Sequence, residues 1–436
     1  MFLDKMFKHI SLLLLSSPLL ILCNVKLTES YLAAENTPIF FVKSNPSDYF
    51  RINYAMLDLA TQNITHNSFK IDNEQLYSLE FDNSVRRQRR SAYSGGVNPR
   101  IRPALPQDFE PIDLGIHSRN KRHIPDVINP KVLVTVDYHL LSKIGPDVRS
   151  AVIYVLSFFL GVNMRYRMLT NPKIRFNVAA IILPEDPLAV PYLANNIIGN
   201  NLMDSDTAIY NMSTYFAQDA KVDQSHYDIA ITLTDFLFAK LNDHGVYLEF
   251  GTAGTAFNRG ACSKYRRVGL VQDFGGFNGI YTAAHEIAHL LGANHDGDVD
   301  GIADKCERNF LMTPDFSKTA NYFEWSSCTI AAIQNFLNSG NAACLFAPLP
   351  DSGRVVNVPL PGQLRTVQDQ CKSYYGYRAI SYYGSEQEIC FHLECKPSLH
   401  VGYHHFTFSA AEGTPCIDDN HFCLDGHCTM RKDSHH

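Results

Sequence analysis

The chain has 436 residues, enough for two or three domains, and a formal net charge of −6 with no basic stripe, which argues against nucleic acid as a partner. Ten of its eleven cysteines lie between positions 262 and 428, a pattern that suits disulfides in an oxidising compartment. After the N-terminal apolar run, no stretch reaches the roughly 18 apolar residues of a bilayer-spanning helix, so no membrane anchor is expected.

Residues 1–23 read as a secretory signal: Lys5 and Lys8 precede the apolar run 12–22, which ends near Cys23. The protein is therefore expected to be secreted and extracellular. Residues 24–122 have weak periodicity, no cysteine and two basic runs, Arg86-Arg87-Gln88-Arg89-Arg90 and Arg119-Asn120-Lys121-Arg122. Both runs suit a furin-type convertase cutting after Arg90 or Arg122. The segment is expected to be a propeptide, with the mature chain opening at His123, or at Ser91 if the upstream run is the final site. Sequons at Asn63 and Asn211 offer glycosylation sites.

Residues 123–346 alternate strand and helix patterns. Strands are predicted over 132–138, 174–183, 227–234 and 268–271. Helices are predicted over 147–161, with Asp147 near its N-cap, over 279–291 and over 327–338. This order implies an α/β layer with a cleft beside the sheet. Residues 347–361, rich in Pro and Gly, read as a linker, and 362–436 as a small, loop-dominated module that needs its cysteine bridges to hold a fold.

The helix over 279–291 carries the most informative motif, His285-Glu286-x-x-His289-x-x-Gly292-x-x-His295. Histidines at i and i+4 project from one face of a helix. They can grip one Zn²⁺, and Gly292, where positive φ is cheap, lets the chain turn back and offer His295. Three nitrogen ligands leave a fourth position open, as in catalytic zinc sites. Glu286, beside the first ligand, can take a proton from the attacking water and return it to the leaving amine.

This motif, with Asp296 after the third histidine, Met312 in Phe310-Leu311-Met312-Thr313-Pro314, and the later Trp325-Ser326-Ser327-Cys328 and Cys344-Leu345, resembles the adamalysin (reprolysin) branch of the metzincin metalloendopeptidases. The tail, with Asp369-Gln370-Cys371, Gly413-Thr414-Pro415-Cys416 and Cys423-x-x-Asp425-Gly426-x-Cys428, resembles the disintegrin-like module of ADAM-TS-type proteases. The whole arrangement is similar to the secreted reprolysin-like proteases of tick saliva. The resemblance implies a metzincin-type α/β catalytic domain with a mixed sheet and a zinc cleft. It implies cleavage of extracellular matrix or plasma proteins, and Met312 and Asp296 as supports of the zinc site.

Sequence alone leaves the cysteine pairing open. The resemblance implies Cys262–Cys344, Cys306–Cys328, Cys371–Cys395, Cys390–Cys423 and Cys416–Cys428. It also points to a damaged calcium site: the acid expected on the first strand is Lys131, an expected Asn is Ala347, and Asp228 alone matches. The acidic stretch Asp296-x-Asp298-x-Asp300-Gly301-x-x-Asp304-x-x-Glu307 satisfies a calcium-loop spacing. No helix can enter that loop after Gly292, so a solvated acidic loop is the favoured reading, and a Ca²⁺ ion there is expected to be held only weakly. The rival reading from another class is a secreted binding protein acting through its cysteine-rich module. Glu286 and all three histidines are in place, which favours the enzyme.

Overall fold

The computed structural model describes residues 39–42, 124–145, 147–198, 201–218, 223–241, 247–250, 252–297, 306–314, 321–348, 358–375, 379–383, 388–397 and 407–430. The expected signal segment, both basic runs with Arg90 and Arg122, Asn63, and the acidic positions Asp298, Asp300 and Asp304 lie outside these residues.

A six-stranded sheet organises the larger unit. Its strands are β1 (Ile39–Val42), β2 (Lys131–Val136), β3 (Asn177–Pro184), β4 (Ile229–Thr234), β5 (Gly254–Ala256) and β6 (Val268–Gln272). They lie in the order β1-β3-β2-β4-β6-β5, parallel throughout except for β5, which runs antiparallel to β6 at one edge. Parallel strands covered on both faces read as continuous apolar runs, and β2, Lys-Val-Leu-Val-Thr-Val, shows why. Val132, Val134 and Val136 join a core with the helices α1 (Val148–Tyr166), α3 (Ile280–Leu290) and α4 (Ser327–Leu337). Leu133 points to the other face, into a second core with α2 (Ser205–Gln218).

Several boundaries differ from expectation, each for a local reason. The strand expected over 132–138 stops at Val136 because Asp137 caps a short helix, Tyr138–Ile144, its carboxylate accepting the Leu140 amide at 2.9 Å. Helix α1 starts as expected, with Asp147 accepting the Ser150 amide, but runs on to Tyr166. It is long and apolar enough to cross a membrane, yet 72% of that apolar stretch is buried within the protein. Strand β5 and helix α2 have sequence patterns too short or too polar to have been read. Residues 39–42, inside the expected propeptide, form an edge strand beside β3.

The C-terminal module is more regular than the loop-dominated fold expected. It holds a helix, α5 (Val367–Tyr375), a three-stranded antiparallel sheet of Ala379–Tyr383, Leu393–Pro397 and Thr407–Phe408, and a hairpin of β7 (His421–Leu424) and β8 (His427–Met430). Its buried core is small, and cysteine makes up much of it: Cys371, Cys390, Cys395, Cys416 and Cys423 sit with Ile389, Leu393, Phe408 and Ala410. A core this small depends on cross-links. The disulfides are Cys371–Cys395, Cys390–Cys423 and Cys416–Cys428 here, and Cys262–Cys344 and Cys306–Cys328 in the larger unit.

Candidate metal centre

Helix α3 is buried along most of its length. Ile287, Leu290, Ala283 and Ala284 are in the core, and His285, Glu286 and His289 occupy the turns between them. The helix ends in a Schellman arrangement: the Gly292 amide reaches the His289 carbonyl and the Ala293 amide reaches that of Ala288, both at 2.9 Å. Gly292 has φ +97°, and a Cβ there would come within 2.8 Å of the Phe336 Cβ. This turn swings His295 back over the helix.

The three histidines converge through their Nε2 atoms. Nε2 of His295 lies 3.1 Å from that of His285 and 3.1 Å from that of His289. The far nitrogens of two rings are engaged: Nδ1 of His285 meets the Leu311 carbonyl at 2.9 Å, and Nδ1 of His289 meets the Ala293 carbonyl at 2.8 Å. A carbonyl accepts only, so each Nδ1 carries the proton and each of those Nε2 atoms presents a lone pair inward. Burial, reinforced by the neighbouring imidazoles, pushes His285 down to about 3 and His289 down to about 4. Neutral rings with lone pairs facing one another repel unless a cation lies between them. Tetrahedral ligands about 2.05 Å from one ion sit about 3.3 Å apart, close to this spacing. The donor set fits Zn²⁺.

Met312 and Asp296 join the loop after His295 to a neighbouring turn. Met312 is fully buried, and its carbonyl accepts the Asp296 amide at 2.9 Å, which ties the loop after His295 to the turn that holds the His285 ring. The Asp296 carboxylate accepts the Ser326 hydroxyl at 2.6 Å, and the same Ser326 oxygen caps α4 by accepting the Thr329 amide at 3.0 Å. Glu286 is 5% exposed and lies against Gly254 of β5. Sequence reading missed Ser326 as a cap, although a Ser preceding an apolar helical run signals one. It also missed Gly254, which no local pattern marks.

Ahead of α3, the buried Asp273 accepts the Tyr154 hydroxyl at 2.5 Å and the Gly279 amide at 3.1 Å, anchoring the helix start to α1. Burial pushes Asp273 up to about 6. Asp228 does not face open space: it accepts the Lys131 amide at 2.8 Å and lies 3.7 Å from the Lys131 ammonium. Asn211 sits in the middle of α2, half-buried, its amide donating to Asn196 Oδ1 at 3.3 Å.

Residues 153–296 match the family "Metallo-peptidase family M12B Reprolysin-like", a span that contains all three histidines and Glu286. The chain carries a reprolysin-like metallopeptidase domain. Residues 361–429 match "ADAMTS cysteine-rich domain 2". An ADAMTS-like protein of Bombyx mori is 36% identical over 72% of this chain and 46% of its own length. Venom metalloproteinase 3 of Eulophus pennicornis is 28% identical over 58% of each chain, and a mouse ADAMTS protein, number 16, is 29% identical over 76% of this chain and 26% of its own. The chain thus spans about half the length of the first two relatives. Its mixed α/β unit contains the span that matches the reprolysin-like family, and its disulfide-rich tail the span that matches the ADAMTS cysteine-rich domain.

Proposed function

We propose that the protein is a secreted zinc-dependent metalloendopeptidase that cleaves extracellular matrix or plasma proteins, of the kind found in tick saliva. The approach of His295 Nε2 to 3.1 Å from the Nε2 atoms of both His285 and His289, beside the buried Glu286, supports this reading most directly. His285, His289 and His295 would hold the ion, which when bound supplies Lewis acidity toward water and the scissile carbonyl. Glu286 takes the proton from the attacking water and delivers it to the leaving amine nitrogen. Water is the nucleophile, so no covalent acyl-enzyme forms. Met312 gives the ligand rings an apolar floor, and Asp296 steadies the loop that carries His295.

The same proposal covers maturation. Residues 1–23 direct export, 24–122 are a propeptide released by a furin-type convertase after Arg122, 123–346 form the protease domain, 347–361 a linker and 362–436 the cysteine-rich module. N-terminal sequencing of secreted protein is expected to read from His123, and a start at Ser91 would make Arg90 the working site.

Purified mature protein is expected to cleave members of a peptide library, and to lose that activity to a zinc chelator. Glu286→Ala should lower turnover by at least about 10²–10⁴-fold while zinc content stays near one per chain. Chelator-insensitive cleavage, or more than a few per cent activity in the variant, would overturn the mechanism.

A further inference from the structure

Arg165, near the end of α1, has a side chain with no exposed surface. Its guanidinium carbon lies 5.2 Å from the ring centre of Tyr281, in the first turn of the zinc helix, and 5.6 Å from that of Phe323. Nε and Nη1 have no hydrogen-bond partner, while Nη2 donates to two carboxylates, those of Glu412 and Asp425, the latter at 2.6 Å. Both acids belong to the C-terminal module, 247 and 260 residues further along the chain. A buried guanidinium is tolerated only when paired, so the protease domain contains a charge whose counter-ions come from the module.

The contact is shaped on both sides. Asp425 and Gly426 form the two-residue turn between β7 and β8, with φ of 51° and 77°, the positive values a tight hairpin needs. That turn delivers the Asp425 carboxylate to Arg165 and Arg167, and the absent Cβ of Gly426 leaves room for the Phe323 ring. The Tyr281 hydroxyl lies beside Glu412, which accepts the Asp425 amide at 3.1 Å. One residue past Arg165, the Tyr166 hydroxyl donates to the Ala284 carbonyl at 2.8 Å, immediately before His285. The Arg165 carbonyl accepts Trp325 Nε1 at 2.8 Å. The module thus reaches the zinc helix by two routes, Glu412 to Tyr281 directly, and Arg165 through Tyr166 to Ala284.

We infer that Arg165, Glu412 and Asp425 form a buried ionic lock through which the cysteine-rich module positions the zinc helix, so that the module is part of the catalytic unit and not a separable appendage. Arg165 is a positioning residue, and the inference rests on the metalloendopeptidase reading for its kinetic arm only.

The test uses full-length mature protein in three forms: wild type, Arg165→Met, and the neutral triple variant Arg165→Met/Glu412→Gln/Asp425→Asn. Amide hydrogen exchange over 280–290, melting temperature, and kcat and KM on a short peptide are measured for each. Arg165→Met leaves the buried Glu412 without its cation and Asp425 with Arg167 alone, so the melting temperature should fall by about 10 °C and the zinc-helix amides should exchange faster. On the peptide, kcat should fall about tenfold with KM within about twofold, because a small substrate gains nothing from the module except the helix position it sets. The triple variant removes all three charges and should recover most of both losses. If Arg165→Met is not secreted, the triple variant still should be, and Asp425→Asn, a position 34% exposed, should show the same changes in weaker form. Zinc-helix exchange and kcat unchanged in Arg165→Met, or a triple variant no better than the single one, would overturn the lock. A wild type without chelator-sensitive cleavage sinks the protease reading instead, and the exchange measurement still decides the lock.

Discussion

Glu286 and Gly254 are in contact across the gap between the zinc helix and the edge strand of the sheet: a Cβ on Gly254 would lie 2.5 Å from Glu286 Oε1 and 2.6 Å from the methyl of Thr282. The carboxylate occupies the space that a side chain on β5 would otherwise fill. Gly254→Ala should therefore push Glu286 aside without touching a ligand. Turnover is expected to fall about tenfold to a hundredfold, with zinc content unchanged. A variant with wild-type turnover would show that Glu286 works from another rotamer.

Gly292→Ala places a Cβ at φ +97°, against the Phe336 Cβ. The left-handed backbone alone costs about 1–2 kcal/mol, and the collision adds to it. Since Gly292 turns the chain between His289 and His295, the loss should appear twice, as a lower melting temperature and as weaker zinc retention in a chelator competition. Equal zinc affinity in the two proteins would separate the turn from the metal centre.

Ser326 both caps α4 and donates to Asp296. Ser326→Ala removes the cap, worth about 1 kcal/mol, and strips a bond from a carboxylate that is 1% exposed, which adds about 1–3 kcal/mol. Denaturant unfolding should give a total near 2–4 kcal/mol, and a loss confined to about 1 kcal/mol would show that Asp296 finds another donor.

Asp273 has its carboxyl raised to about 6 by burial, against about 3.9 for an unfolded Asp. The native state then binds the proton more tightly between these values, so this group contributes stability at low pH that is lost as pH rises through about 4 to 6. Asp273→Asn lacks the titration. The stability of wild type minus that of the variant should fall by roughly 2–3 kcal/mol across that window and stay flat above it. A difference independent of pH would mean that the Tyr154 and Gly279 bonds fully offset the burial.

Calcium is expected to act weakly, through the acidic stretch that includes Asp298, Asp300 and Asp304. At a millimolar Kd, 1 mM Ca²⁺ adds about 0.4 kcal/mol and should raise the melting temperature by about 1–2 °C. Replacing Asp298 and Asp300 with Asn should abolish that rise. No rise in either protein would make the spacing a feature of an acidic turn alone.

The metal motif was legible because it is local. The i, i+4 spacing on one helix and a glycine after it are properties of a dozen consecutive residues, and the backbone geometry of a helix with a Schellman end converts them into converging nitrogens. Four strands of the sheet, β2, β3, β4 and β6, were legible for a similar reason, since two-sided burial writes itself as an unbroken apolar run. Their ends were not, because a cap such as Asp137 competes with strand propensity over only one or two residues. Residue chemistry could nominate Glu286 as a base, but only the packing of β5 shows that Gly254 makes room for it. The Arg165 cluster was out of reach altogether: an arginine inside an apolar helix reads as a solvated end, and the acids that neutralise it lie 247 and 260 residues away. Periodicity reports which face of an element is buried. It carries no information about which distant element covers that face, and that pairing, decided by tertiary packing, joins the cysteine-rich module to the zinc helix.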